Sequence, residues 1–194
     1  MILVDDVRAV FVDLRKRLVN YILSHRIRAK HRTLNADPTV IWNYPYARPD
    51  AIEIGRDVTV MAYCEMLAFT DSPFGTTEGR LVLEDGVVIA TGVNIRAAGG
   101  VVSVGRGSGI GQYTVIVAVN HKVELGVPVI NSPWDERRTG VTIGANVWVG
   151  ANCVLVAGCR IGDNAVIAAG SVVRGEVPPG EIWGGVPAKL IRRL

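Results

Sequence analysis

Residues 141–173 read VTIGANVWVGANCVLVAGCRIGDNAVIAAGSVV, and the rhythm of this stretch decides the fold. An aliphatic residue recurs every sixth place, at Ile143, Val149, Leu155, Ile161, Ile167 and Val173. Gly144, Gly150, Val156 and Gly162 follow four of them directly. A small residue fills a second slot, at Val147, Cys153, Cys159, Ala165 and Ser171. An amphipathic helix repeats about every 3.6 residues and a strand about every two, so neither produces this spacing. A short fixed period is the signature of a solenoid whose repeats stack on their neighbours. The glycines and the asparagines just after them suit tight turns that need positive φ.

The rhythm returns upstream in shorter runs: Ile54-Gly55 through Val60 and Met66; Val87, Ile89, Ile95 and Val101; Val104-Gly105, Ile110-Gly111 and Ile116. The register breaks between runs, which predicts loops there. The longest break, residues 122–140 (KVELGVPVINSPWDERRTG), is polar and charged and reads as an excursion from a rigid scaffold, a common home of function. Residues 1–32 lack the repeat. They predict a helix from Val4, Val7, Phe11, Leu14, Leu18 and Ile22, followed by an aromatic, proline-rich linker to about residue 50. Arg15, Lys16, Arg17, Arg26, Arg28, Lys30 and Arg32 make this segment basic. It suits a cap on the open end of the solenoid, or a peripheral contact with an anionic membrane surface.

The 194 residues suffice for one domain with a substantial core, and 49% hydrophobic with 6% aromatic content suits stacked Val and Ile. A net charge of +3 does not call for a nucleic-acid partner. No secretory signal and no membrane-spanning apolar run is evident, so a cytoplasmic location is expected. Cys64, Cys153 and Cys159 occupy the small-residue slot and read as buried apolar residues, without metal spacing. Histidine is the usual general base near neutral pH, and the chain offers His25, His31 and His121. The first two lie in the basic helical stretch and read as surface residues. His121 stands where the repeat stops and the excursion begins.

VTIGANVWVGAN (141–152), IGDNAVIAAGSVV (161–173), EVPPG (176–180) and GGVPAKLIRR (184–193) together resemble the hexapeptide-repeat acyltransferases. The resemblance is closest to the branch of galactoside, maltose and polysaccharide O-acetyltransferases. It implies an all-β solenoid, a left-handed parallel β-helix with an N-terminal helix and a long excursion loop. The expected layout is a helical cap and linker at 1–50 and the β-helix at 51–194. It also implies direct acetyl transfer from acetyl-CoA to a hydroxyl of a sugar or glycan, with His121 as the base and no metal. By motif, the backbone N–H of Ala151 is the oxyanion donor. Trp148, Ala151, Ala169, Arg174, Lys189 and Arg192 contact CoA, with Arg174 standing in, one residue displaced, for the lysine of a family Thr-Lys pair. Asn94 is the candidate for the acceptor sugar. The family implies a homotrimer with sites between subunits. A backbone carbonyl or an acid such as Glu124 could orient His121. Alternatives are a related acyltransferase acting on an amino-sugar nitrogen or serine, a γ-class carbonic anhydrase, which needs three histidines, and a non-catalytic scaffold.

Overall fold

The computed structural model describes residues 2–42 and 49–194; the side chains of residues 2–8 and 49 lie outside it, as do residues 43–48 of the aromatic linker. A helix, Ile2–Lys30, precedes a three-faced prism of short parallel strands. The first face stacks Asn35–Ala36, Thr59–Val60, Val88–Ile89, Gly109–Ile110, Trp148–Val149, Val166–Ile167 and Glu181–Gly185. The second stacks Ile41–Trp42, Glu65–Phe69, Asn94–Ala98, Val115–Val117, Val154–Leu155 and Val172–Val173. The third stacks Ile52–Ile54, Arg80–Leu83, Val101–Val104, Val141–Ile143, Arg160–Ile161 and Glu176–Val177. A last strand, Ala188–Arg193, folds back antiparallel on Glu181–Gly185. The stack thus begins at Asn35, ahead of the residue-51 boundary read from the sequence.

Each two-residue strand turns one side chain inward, and parallel register puts like upon like. Val60, Ile89, Ile110, Val149 and Ile167 form one buried column, and Met66, Ile95, Ile116, Leu155 and Val173 another. Burying each such side chain contributes about 1.5–3 kcal/mol. Val101 departs from the expected pattern: it is exposed, and Val102 and Val104 point inward, because the Gly99-Gly100 turn shifts the register.

The corners are where the glycines and asparagines act, and they act differently from the expectation. Asn146, Asn152 and Asn164 adopt φ of 54°, 57° and 60°, the left-handed conformation asparagine tolerates. Gly144, Gly150 and Gly162 do not have positive φ. A Cβ on Gly150 would lie 2.5 Å from the Ala169 nitrogen, so coil-to-coil approach excludes a side chain there. Buried hydroxyls at these corners are satisfied twice. The Ser108 hydroxyl donates to the Gly144 carbonyl (2.8 Å) and accepts from the Val147 N–H (2.9 Å). Cys153 and Cys159 are buried on successive corners, with free thiols; desolvation pushes the Cys159 thiol up to about 12.

The helix closes the N-terminal end of the prism. Leu23 and Ile27 pack into its core, and Asn20 bonds the Val40 carbonyl (3.0 Å) and the Trp42 N–H (2.9 Å). Phe11, Leu14, Leu18 and Ile22, whose spacing marked the helix in the sequence, are exposed.

Candidate functional site

Two segments leave the prism at the corner between the second and third faces. One is the expected excursion, which spans 118–140 between Val115–Val117 and Val141–Ile143. The other, residues 70–79, was legible only as a register break between Met66 and Val87. They lock together. Trp134 is buried over Gly75 and Gly99, whose missing Cβ atoms would lie 2.6 and 2.7 Å from its ring. Its N–H donates to the Phe74 carbonyl at 2.7 Å. The Glu136 carboxylate accepts from the N–H groups of Thr76 (2.9 Å) and Thr77 (3.0 Å) and from both hydroxyls.

His121 sits in the neck of the larger excursion, bridged antiparallel to Trp134 and flanked by the Lys122 N–H to Pro133 carbonyl (2.8 Å) and Asp135 N–H to Asn120 carbonyl (2.7 Å) bonds. The Phe74 ring meets its imidazole edge-on, centroids 5.1 Å apart. Nδ1 lies 2.6 Å from the Ser132 carbonyl oxygen. A carbonyl can only accept, so Nδ1 carries the proton and Nε2 presents its lone pair. The orienting group is therefore this carbonyl, itself fixed by the short 3-10 turn Val129–Asn131; Glu124 is exposed on the outer excursion.

Ionisation of Glu136 couples the two loops. The Thr77 and Thr76 N–H groups, and then their hydroxyls, hold its carboxyl below the usual carboxylate range. The folded pKa is depressed, so the latch is complete above the unfolded value of 4.5 and is lost as pH falls through the lower folded value. Limited proteolysis of residues 118–140 is expected to accelerate on acidification in the wild type. Glu136→Gln should remove that acid-dependent step and cleave faster already at neutral pH; identical profiles would refute the latch.

Beside the neck of the excursion, next to Asn120, the same corner opens into a cleft of about 530 Å³. Asn120 and Asp135 line one side, Val156, Ala157 and Gly158 the floor, and Arg138, Arg160, Arg174 and Glu176 the rest. Among the described residues the guanidiniums of Arg138, Arg160 and Arg174 have no ion pair or hydrogen bond, whereas that of Arg137 is held by Asp135 at 2.7 Å. Three free guanidiniums on one cleft suit a ligand carrying several phosphate oxygens.

The remaining sequence candidates lie elsewhere on the chain. Trp148 is exposed on the first face, its ring over Gly109. Ala151 and Ala169 occupy the corner between the first and second faces, on successive coils, and the Ala151 N–H bonds no acceptor among the described residues. Lys189 and Arg192 are exposed on the final strand, at the C-terminal edge of the first face. One chain thus brings Arg174 to the corner of His121 and leaves Trp148, Ala151, Ala169, Lys189 and Arg192 on another side of the prism. Asn94 projects from the second face, its amide donating to Glu65 (2.5 Å) and accepting from Arg96 Nε (3.2 Å). His25 is exposed against Tyr21. His31 is partly buried, and burial, then the Lys30 charge, lowers its pKa. Among the described residues no group of three His, Cys, Asp or Glu side chains gathers to hold a metal, and no helix is long and apolar enough to cross a membrane.

Residues 140–175 match the bacterial transferase hexapeptide (six repeats) family. These residues carry the hexapeptide repeat of that family. The fold is the left-handed parallel β-helix. The chain is 48% identical over 54 residues to the galactoside O-acetyltransferase of Escherichia coli K12, covering 28% of this chain and 27% of that protein. It is 34% identical over 121 residues to the putative lipopolysaccharide biosynthesis O-acetyl transferase WbbJ of the same strain, covering 59% of this chain and 61% of that one. The chain spans less than two thirds of the length of the curated relatives it matches. In three dimensions it is similar to AntD, an N-acyltransferase from Bacillus cereus crystallised with dTDP and 3-hydroxybutyryl-CoA, at a TM-score of 0.66 and 17% identity over 84% of this chain and 81% of that one. Sequence reasoning missed Phe74, Trp134, Arg138 and Arg160; the hexapeptide break at DSPFG (71–75) and the tryptophan inside a polar excursion were the available signals.

Proposed function

We propose that the chain transfers acetyl from acetyl-CoA to a hydroxyl of a sugar or glycan, with His121 as general base. The observation that carries this reading is an imidazole with Nδ1 pinned by a carbonyl and Nε2 free, next in the chain to Asn120 on a cleft edged by three unpaired guanidiniums. Similarity to the two O-acetyltransferases supports the acceptor class.

In the ternary complex His121 Nε2 removes the acceptor hydroxyl proton as that oxygen attacks the thioester carbon. The oxyanion that develops takes the Ala151 N–H. When the C–S bond breaks, the imidazolium returns its proton to the departing CoA sulfur, so no covalent enzyme intermediate forms. The buried cysteines fit this route, since desolvation raises the thiols of Cys64, Cys153 and Cys159 away from the reactive thiolate. Arg174, with Arg138 and Arg160, holds the CoA phosphates, while Trp148, Ala169, Lys189 and Arg192 line the opposite wall. Asn94, presented by Glu65 and Arg96, faces the acceptor.

These two walls lie on different sides of one prism, so the site is completed by a neighbouring copy, in a homotrimer with cyclic closure. Dependence on acetyl-CoA fits work at the cytoplasmic side, with peripheral membrane contact through the N-terminal helix. The test is acetyl transfer, followed by release of the CoA thiol across a panel of hydroxyl and amino sugars, in mixed assemblies. His121→Ala and Ala169→Trp are each expected to be nearly inactive alone. Co-assembled, they regain a substantial fraction of wild-type activity, because some interfaces contain both intact walls. Failure of the mixture to regain activity, with co-assembly verified by mass, would overturn the shared site.

A further inference from the structure

The helix Ile2–Lys30 docks with only part of its length and one of its sides. Leu23 and Ile27 are 3% and 2% exposed, and Val19 packs partly on the same core. Upstream, residues 9–18 are exposed all round, so about 15 Å of helix stands clear of the solenoid. Away from the docked side, Phe11, Leu14, Leu18 and Ile22 follow one another at three- and four-residue steps, 68%, 57%, 59% and 42% exposed. That spacing makes one continuous apolar stripe. Such a stripe marks a contact surface rather than ordinary scattered exposure.

Charge identifies the partner. At about 100° per residue, Arg15 and Arg26 border one edge of the stripe and Arg17 and Arg28 the other. Asp13 is the acidic group among the helix side chains described, and Arg17 engages it at 2.8 Å. A second copy of the helix laid along the stripe would set arginine against arginine, which opposes self-association. An anionic lipid surface complements both the stripe and its borders. Between Arg17 and Arg28 a hollow of about 440 Å³ opens beside Tyr21, Ser24 and His25, with room for a phosphate-bearing headgroup.

We propose that this helix is an interfacial anchor. It lies in the surface of an anionic bilayer with Phe11, Leu14, Leu18 and Ile22 in the acyl boundary and its arginines at headgroup level. The inference deepens the glycan-acceptor reading by giving that acceptor a lipid-borne location, but its readout is independent of catalysis.

The experiment is co-sedimentation of the full chain with phosphatidylcholine vesicles and with phosphatidylcholine–phosphatidylglycerol vesicles. The wild type is expected to pellet with the anionic vesicles, less at high salt, and weakly with neutral ones. Leu14→Glu with Leu18→Glu should lower partitioning by about 10²-fold or more, since two apolar groups are lost and two repelling charges gained. Arg15→Gln and Arg26→Gln should each lower it about 5-fold. All four side chains are exposed, so thermal melting and acetyl-CoA binding should match the wild type. Equal pelleting with neutral and anionic vesicles, or full binding by the double glutamate variant, overturns the proposal. So does a change in assembly mass in that variant, which would make the stripe a seam between copies.

Discussion

His121→Ala is expected to lower kcat by about 10²–10⁴-fold, the usual contribution of a well-placed general base, with acetyl-CoA affinity nearly unchanged. The split follows from placement. His121 adjoins the cleft only through Asn120, whereas the free guanidiniums that suit the CoA phosphates line the cleft itself. His121→Gln is the informative companion, because an amide can still bond the Ser132 carbonyl but cannot take a proton. Steady-state kinetics with a responsive acceptor decide the matter. A variant that keeps wild-type kcat, whatever its KM, removes His121 from the chemistry.

The second large effect is expected away from the reacting atoms. Trp134→Ala should lower kcat by about 10²-fold, since a shift of about 1 Å in a catalytic group costs that much. The Trp134 ring fills the space above Gly75 and Gly99, while its backbone bridges His121, so loss of the ring loosens both excursions at the corner. Truncating a buried tryptophan typically costs about 3–5 kcal/mol. Here the loss falls on a loop pair, so cleavage within 118–140 should accelerate while the cooperative melting of the prism changes little. Trp134→Phe should recover most of the rate. A Trp134→Ala variant with normal kcat and slow loop cleavage would contradict a positioning role.

The prism was legible because stacking demands one inward side chain per short strand, and Ile143, Val149, Leu155 and Ile161 state that demand at a constant interval. The asparagine turns followed from local chemistry at φ near 55°. Gly150 was read through the wrong cause, since its need for a bare Cα comes from Ala169 on the next coil, a contact that depends on pitch rather than on local sequence. The helix was legible as a helix from the spacing of residues such as Phe11 and Leu18, but the side by which it docks was not. The docked residues are Leu23 and Ile27, since only the C-terminal turns reach the open coil. His121 stood out because the repeat stops there. Its partners did not, since the Ser132 carbonyl and the Phe74 ring come from chain segments that meet it only through the packing of Trp134 between them. The division of Arg174 and Trp148 between different sides of the prism was equally invisible in a linear motif, because it depends on counting coils.

The central claim is that the cleft edged by Arg138, Arg160 and Arg174 takes acetyl-CoA. Equilibrium dialysis of the folded protein against labelled acetyl-CoA tests it most directly. The account predicts saturable binding of about one molecule per chain, competed by free CoA. It also predicts weaker binding when Arg174 is replaced by Ala. A folded protein that retains no acetyl-CoA at any concentration tested would contradict it.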